Sequence, residues 1–359
     1  MGYSAHNTHL RAIARLARLR FHFIAVILTV FIPSCSLAPP REISRAGFVL
    51  GTTCSVRLVG GGSEGLLDAI FARLRQIEDE LGVKKSGSQI DALNAAAGRA
   101  PVALGADALA IIKRDLELSA WSDGAFDQSV GPLAAIWGIG TDHAKLPGSH
   151  EIASAKRLVG WKDIVLDGEK KTVYLRREGM ALDLGSTTKG YAADEVVRLI
   201  RDAQVKSAIV DLGGNVLVEG NRPDGKPWRI GLQNPFSSDR GVYLGIASLT
   251  SKTMVTSGVY ERFFVDETSG KRYHHILDTK TGYPVDNGIM SVTAVTSRSF
   301  DADGFTTTVF ALGREKGMAL AKAKGIDIIV VDSGRRVYAS PGVSTYFEIT
   351  DPSFSFSGP

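Results

Sequence analysis

The sequence predicts an α+β fold: one large domain with a mostly antiparallel sheet and flanking helices. Three observations carry that expectation. Strand-like runs follow one another across short turns, as hairpin-linked strands do. Helix-period patterns are interspersed among them without the regular alternation of a doubly wound sheet. From Phe48 onward no repeat and no long low-complexity linker divides the chain. With 359 residues, 44% of them hydrophobic, there is material for a sizeable core, and two cysteines exclude a disulfide-stapled scaffold.

The chain opens with four arginines, Arg11, Arg15, Arg18 and Arg20, and no acid, followed by the apolar run FHFIAVILTVFI at 21–32. That is the layout of a secretory signal, and the run is short for a bilayer span. It ends in Ile-Pro-Ser-Cys, similar to a bacterial lipoprotein cleavage site, so Cys35 is the expected lipidation site. Simple secretion and a retained anchor are the alternatives. The expected organisation is a signal peptide at 1–34, a lipidated tether at 35–46, the functional domain at 47–350 and a tail at 351–359. Setting 1–34 aside leaves 38 basic against 38 acidic residues. A neutral domain lacks the broad positive field that nucleic-acid binding needs, which excludes that class.

Helix spacing is clear in Leu66, Leu67, Ile70, Phe71, Leu74, Ile77 and Leu81, with Ser63 to cap the start and Gly82 to end it. Further helices are expected at 106–121, 190–203 and 303–312. Strands are expected in VLGTTCSVRLV, IVLDG and TVYLR about Gly168, SAIVDLGGNVLVEG, WRIGLQ, VYLGIASL, RYHHIL, SVTAVT and DIIVVD. Cys54, in the first of these, reads as a buried thiol. Gly60-x-Gly62-x-x-Gly65 has the syntax of a dinucleotide fingerprint, but no parallel strand ending in an acid follows it, so it reads as a turn.

Three segments carry chemistry. In ALDLGSTTKGYAADEVV a strand ending at Asp183 leads through a small-residue loop to Lys189 and a helix, which is either an anion site or an ordinary turn. In SFDADGFTTTVFALG, Asp303 and Thr307 share a helix face and offer hard oxygen donors suited to Mg²⁺, though Asp303 alone would serve as a helix cap. In YHHILDTKTGYPV, His274 and His275 point to opposite faces of a strand, so at most one faces any site.

Taken in order, LGTT from Leu50, Ser88 with Asn94, AFDQSVGPL with Trp137-Gly138, ALDLGSTTKGYAAD, VDLGGN, TSGVYER, HHILDTKTGYPV and ADGFTTTVFALG resemble the ApbE-type FAD:protein FMN transferases over nearly the whole mature chain. The resemblance implies a lipid-anchored enzyme on the periplasmic side of a bacterial cell envelope. It would bind FAD and Mg²⁺ and move the FMN moiety to a Thr or Ser hydroxyl of an acceptor flavoprotein, with release of AMP. It implies metal contacts at Ser186, Asp303, Thr306 and Thr307, and flavin-nucleotide contacts at Leu50, Lys84, Ala125, Phe126, Asp127, Asp183, Lys189 and Ile276. It also implies His275 as the base. Gly82 and Lys84 stand where the family commonly has Ser and an aromatic, Leu50 for a common Met, Thr306 for a frequent second acidic neighbour, Thr279 for a Pro and Val259 for an Asp. An FAD pyrophosphatase giving FMN and AMP, and a non-catalytic flavin-binding lipoprotein, are the alternative functions.

Overall fold

The computed structural model describes residues 41–82 and 85–358. The signal segment, Cys35 and Lys84 therefore lie outside the described residues. The first strands are β1 (Glu42–Val49) and β2 (Thr52–Val59). They form a hairpin where one strand was expected, because Leu50 and Gly51 both take positive φ (57° and 68°) and so make a two-residue turn matched to strand twist. Helix α1 (Glu64–Leu81) buries six of the seven predicted residues, Leu67, Ile70, Phe71, Leu74, Ile77 and Leu81, with Leu66 half-buried, and the Ser63 hydroxyl accepts from Leu66 N. The chain continues through α2 (Gln89–Ala95), β3 (Val102–Ala103), α3 (Ala106–Trp121), α4 (Gly131–Trp137), α5 (Ser149–Lys156), β4 (Ile164–Asp167), β5 (Thr172–Leu175) and α6 (Thr188–Asp202). Then come β6 (Ser207–Leu212), β7 (Asn215–Glu219), β8 (Trp228–Gln233), β9 (Tyr243–Leu249), β10 (Thr253–Gly258), β11 (Phe263–Val265), β12 (Arg272–His274) and β13 (Ile289–Thr296). The last elements are α7 (Ser299–Leu312), α8 (Arg314–Lys324), β14 (Asp327–Asp332), β15 (Arg336–Ala339), β16 (Phe347–Ile349) and β17 (Ser355–Phe356).

Nine strands form the frame, in the order β1-β2-β6-β7-β10-β13-β14-β15-β17, and every pair is antiparallel except β15 with β17. The glycine-rich stretch at 60–65 follows β2, whose neighbours β1 and β6 both run antiparallel to it, which removes the dinucleotide-binding topology. Both faces of the frame are covered. In β14, Ile328 and Val330 pack with the α7 residues Phe305, Val309 and Phe310, while Ile329 and Val331 pack with Ile230, Leu232, Leu249 and Phe347 of a three-stranded sheet, β16-β9-β8. Burial on two faces is why DIIVVD is apolar throughout rather than alternating. Under α1, α3 and α6 a further cluster joins Leu74, Ile111 and Val196 to Val56 and Val210.

Two boundaries differ from expectation. Residues 42–46 belong to β1, paired with Val59 through Val56 and Ser55, so the domain reaches back into the expected tether. The expected tail contributes a buried Phe354 and β17, so the domain also extends forward. Helix α7 begins at Ser299, four residues before its expected start, which places Asp303 inside the helix and ends its reading as a cap. The capping group comes from α6: Asp194 Oδ1 accepts from Ser299 N at 2.7 Å and Oδ2 from Phe300 N at 3.2 Å. A half-buried acid capping a helix N-terminus is worth about 1–2 kcal/mol. Asp194→Ala is expected to lower unfolding stability by about that amount in urea titration, with the denaturant slope unchanged.

Candidate active site

Asp183 follows a bridge between Ala181 and Val130, and its amide donates to Gln128 O. Its Oδ1 accepts from Gly185 N at 2.9 Å, an Asx turn that bends the chain into the loop ahead of α6. Leu184 O then receives the amides of Thr187 and Thr188. Lys189 is the second residue of α6, with Nζ 3.5 Å from Gly185 O. A bent loop, a helix N-terminus and a cation thus coincide, which is a site for an anion such as phosphate.

Helices α6 and α7 cross at Gly190. A Cβ there would lie 2.5 Å from Ser299 O and 2.7 Å from Asp303 Cβ, so no larger residue fits without parting the helices. The close approach lets Gly190 N donate to Asp303 Oδ2 at 2.8 Å. Asp303 is 5% exposed, and burial raises its carboxyl above the ordinary range, while the Lys189 charge, the Gly190 amide and Asn215 favour the anion. Asn215 is itself held by the Ser299 hydroxyl at 2.5 Å. One turn on, Thr307 is half-buried and 3.4 Å from the Ser257 hydroxyl. Thr306, expected near the metal, is fully buried with its hydroxyl donating to Asp303 O at 2.7 Å and meeting Ser257 at 2.8 Å. Position 306 follows 303 by three residues, and that offset turns it toward β10 and away from the loop. Its side chain is therefore engaged elsewhere.

The adjacent histidines are neutral in opposite tautomers. A carbonyl oxygen only accepts, so the ring nitrogen facing it carries the proton. His274 Nε2 donates to Val285 O at 2.8 Å and its Nδ1 accepts from Ile276 N, which makes this buried ring a structural pin. His275 Nδ1 faces Arg262 O at 3.3 Å, which leaves Nε2 as the lone-pair nitrogen. Its pKa is lowered to about 3, first by burial and then by the nearby positive charges, of which Arg262 is the largest and Lys189 a smaller one. The Lys189 charge thus bears on both Asp303 and His275.

The ApbE family profile matches residues 50–330, most of the chain. The chain belongs to the ApbE family. An FAD:protein FMN transferase of Klebsiella pneumoniae is 37% identical over 301 residues, covering 84% of this chain and 92% of that one. One from Treponema pallidum is 35% identical over 350 residues, covering 92% and 96%. The flavin transferase ApbE structure from Vibrio cholerae superposes with a TM-score of 0.77 at 26% identity, covering 86% of this chain and all of its own.

In this ApbE chain the other expected positions divide by what their side chains do. Phe126 and Ile276 are buried in one cluster with Leu118 and Val255, so they shape a wall. The Asp127 carboxylate accepts from Ser129 N, Ser129 Oγ and Trp161 N, all within 2.8 Å, so it fixes two loops. Thr279 Oγ1 donates to Gly124 O at 2.7 Å, tying this segment to the turn after His275. Leu50 holds a left-handed backbone at the β1–β2 turn with its side chain against the core. A cleft of about 390 Å³ beside Trp161 touches Asp127 alone among the expected residues, so the constellation and not this cavity defines the site. Asn215 and Ser257 stand inside motifs the sequence displays, VDLGGN and TSGVYER, but nothing in those motifs says which residue they support.

Asp303, Thr307 and the loop oxygen of Ser186 are hard donors with a single carboxylate among them. Among the described residues no group of three or more His, Cys, Asp and Glu side chains forms a metal cluster. Such a set fits a cation like Mg²⁺ that keeps waters and shares its shell with substrate phosphates.

The lowered His275 pKa has a sign that can be tested. Between about pH 6.5 and 3 the unfolded state binds the proton and the folded state does not, so this group's stabilisation, full above pH 6.5, is lost as pH falls through that window. His275→Gln is expected to flatten the fall in thermal stability between pH 6.5 and 4.5 relative to the parent; equal slopes would contradict the neutral assignment.

Proposed function

We propose that this chain transfers the FMN moiety of FAD to a Thr or Ser hydroxyl of an acceptor flavoprotein, releasing AMP, with Mg²⁺ as the bound cation. The observation that supports it most is His275: a neutral ring, with Nε2 unprotonated, within electrostatic reach of the Lys189 helix N-terminus that also neighbours buried Asp303. The activity of the relatives, FAD:protein FMN transferases similar over most of both chains, supports the same reading.

In this reading Lys189 and the α6 N-terminus hold the pyrophosphate. Asp303, Thr307 and Ser186 would hold Mg²⁺, which when bound neutralises phosphate charge. His275 Nε2 takes the proton of the acceptor hydroxyl as its oxygen attacks the FMN-side phosphorus. The bond to the bridging oxygen breaks, and AMP leaves with that electron pair. Nδ1–H facing Arg262 O keeps the ring in the tautomer the step requires.

We further infer that Cys35 carries a lipid that holds the enzyme on the periplasmic side of the envelope. Its support is the apolar run ending in Ser34-Cys35. Cys35→Ser should pass to the soluble fraction and lose lipid label; an unlabelled parent, with the variant still membrane-bound, would contradict it.

Incubating the protein with FAD, Mg²⁺ and an acceptor domain should give AMP that rises with acceptor, and a fluorescent acceptor band that survives denaturation. AMP and free FMN regardless of acceptor would identify a pyrophosphatase, and neither product a binding protein. His275→Ala should bind FAD yet lose labelling by about 100-fold or more. Asp303→Ala should abolish Mg²⁺-dependent AMP release while leaving the fold intact.

A further inference from the structure

Asp115 belongs to no motif. It lies on α3 with none of its surface exposed. Its Oδ2 accepts the Thr187 hydroxyl at 3.1 Å, and its Oδ1 has no hydrogen-bond partner among the described residues. A half-satisfied buried carboxyl is costly to a fold, and an apolar residue of similar size would be cheaper there. Its surroundings suggest what that cost supports.

Thr187 is the residue directly before α6 and directly after Ser186. Its methyl fills the space that a Cβ at Gly304 would need, 2.5 Å away, so Thr187 is wedged between Asp115 and the α7 turn that bears Asp303. Burial foremost, and then the negative charges of Asp303 and Asp183, push the Asp115 carboxyl well above the usual range. Arg114 offsets this only in part, since its guanidinium is also engaged by Glu117 and Asp301. Three carboxyls therefore surround a loop whose own cation is Lys189. A divalent cation is the group that would balance them.

We propose that Asp115 is a positioning residue of the cation site: through Thr187 it holds the Ser186 loop against Asp303, and its carboxylate places a second negative charge beneath the bound ion. The proposal rests on the Mg²⁺-dependent reading above and deepens it. It also gives this chain an acidic neighbour of the ion from α3, where position 306 carries a threonine engaged with Ser257.

The test is calorimetric titration of the full chain with Mg²⁺ alone, without FAD, alongside FAD binding in chelator. Asp115→Asn keeps the shape and the acceptor for Thr187 but removes the charge, and should weaken Mg²⁺ about tenfold or more while FAD binding in chelator is unchanged. Thr187→Val removes the clamp from the loop side and should weaken Mg²⁺ in the same direction, so a loss of fold in one variant leaves the other to decide. A structural role alone would lower thermal stability and leave Mg²⁺ affinity intact; that result in either folded variant overturns the proposal. Asp303→Ala separates the two readings. If it binds Mg²⁺ like the parent, the cation reading itself fails; if it loses binding while the folded Asp115→Asn and Thr187→Val variants keep it, only the role of Asp115 does.

Discussion

The site depends on one close contact, the crossing of α6 and α7 at Gly190. Two hydrogen-bonded links, a helical turn apart on each helix, lock that crossing: Gly190 N to Asp303, and Asp194 to the first amides of α7. The same glycine that permits the approach supplies the donor that stabilises a buried carboxylate. Moving either helix would strand Asp303 without its amide partner and leave α7 without its cap, each a loss on the order of 1 kcal/mol or more. Packing and chemistry are therefore coupled here, and the loop from Asp183 to Lys189 inherits its position from the crossing.

The antiparallel frame delivers the remaining groups. Strand β7 begins with Asn215, whose amide favours the charged form of Asp303, and β10 carries Ser257 against the α7 threonines. Beyond β12 the chain pins His275 through Arg262 O, while His274 locks the next turn through Val285 O. Trp137 Nε1 donates to Gly282 O at 2.8 Å and ties α4 to that same turn. His275 is thus held by elements separate from those that hold Asp303.

Much of this was legible from local patterns. The α1 stripe, the bounds of α3, the hairpin about Gly168 and the run 327–332 each follow from period or turn chemistry in adjacent residues. What was not legible depends on distant partners. The start of α7 is set by an acid 105 residues earlier in the chain, so the local sequence offered Asp303 as the nearest cap. Leu50 interrupts what reads as one strand because a non-glycine residue rarely takes positive φ. Thr306 was expected near the metal from the family resemblance, whereas the partners of its hydroxyl, Asp303 O and Ser257, depend on how α7 meets β10. Asp115 did leave a signal: with Ala108, Ile111, Ile112, Leu118 and Ser119 it falls on the buried stripe of α3, where an acid is out of place.

The central claim is that Asp303, the Ser186 loop and His275 surround one reacting phosphorus. A crystal structure with FAD, using Mn²⁺ in place of Mg²⁺ and an anomalous map at the manganese edge, examines that claim most directly. The account predicts a single strong peak coordinated by Asp303 and Thr307 and shared with the pyrophosphate, with His275 Nε2 facing the FMN-side phosphorus. A peak away from Asp303, or a pyrophosphate bound with His275 on the AMP side, would contradict it.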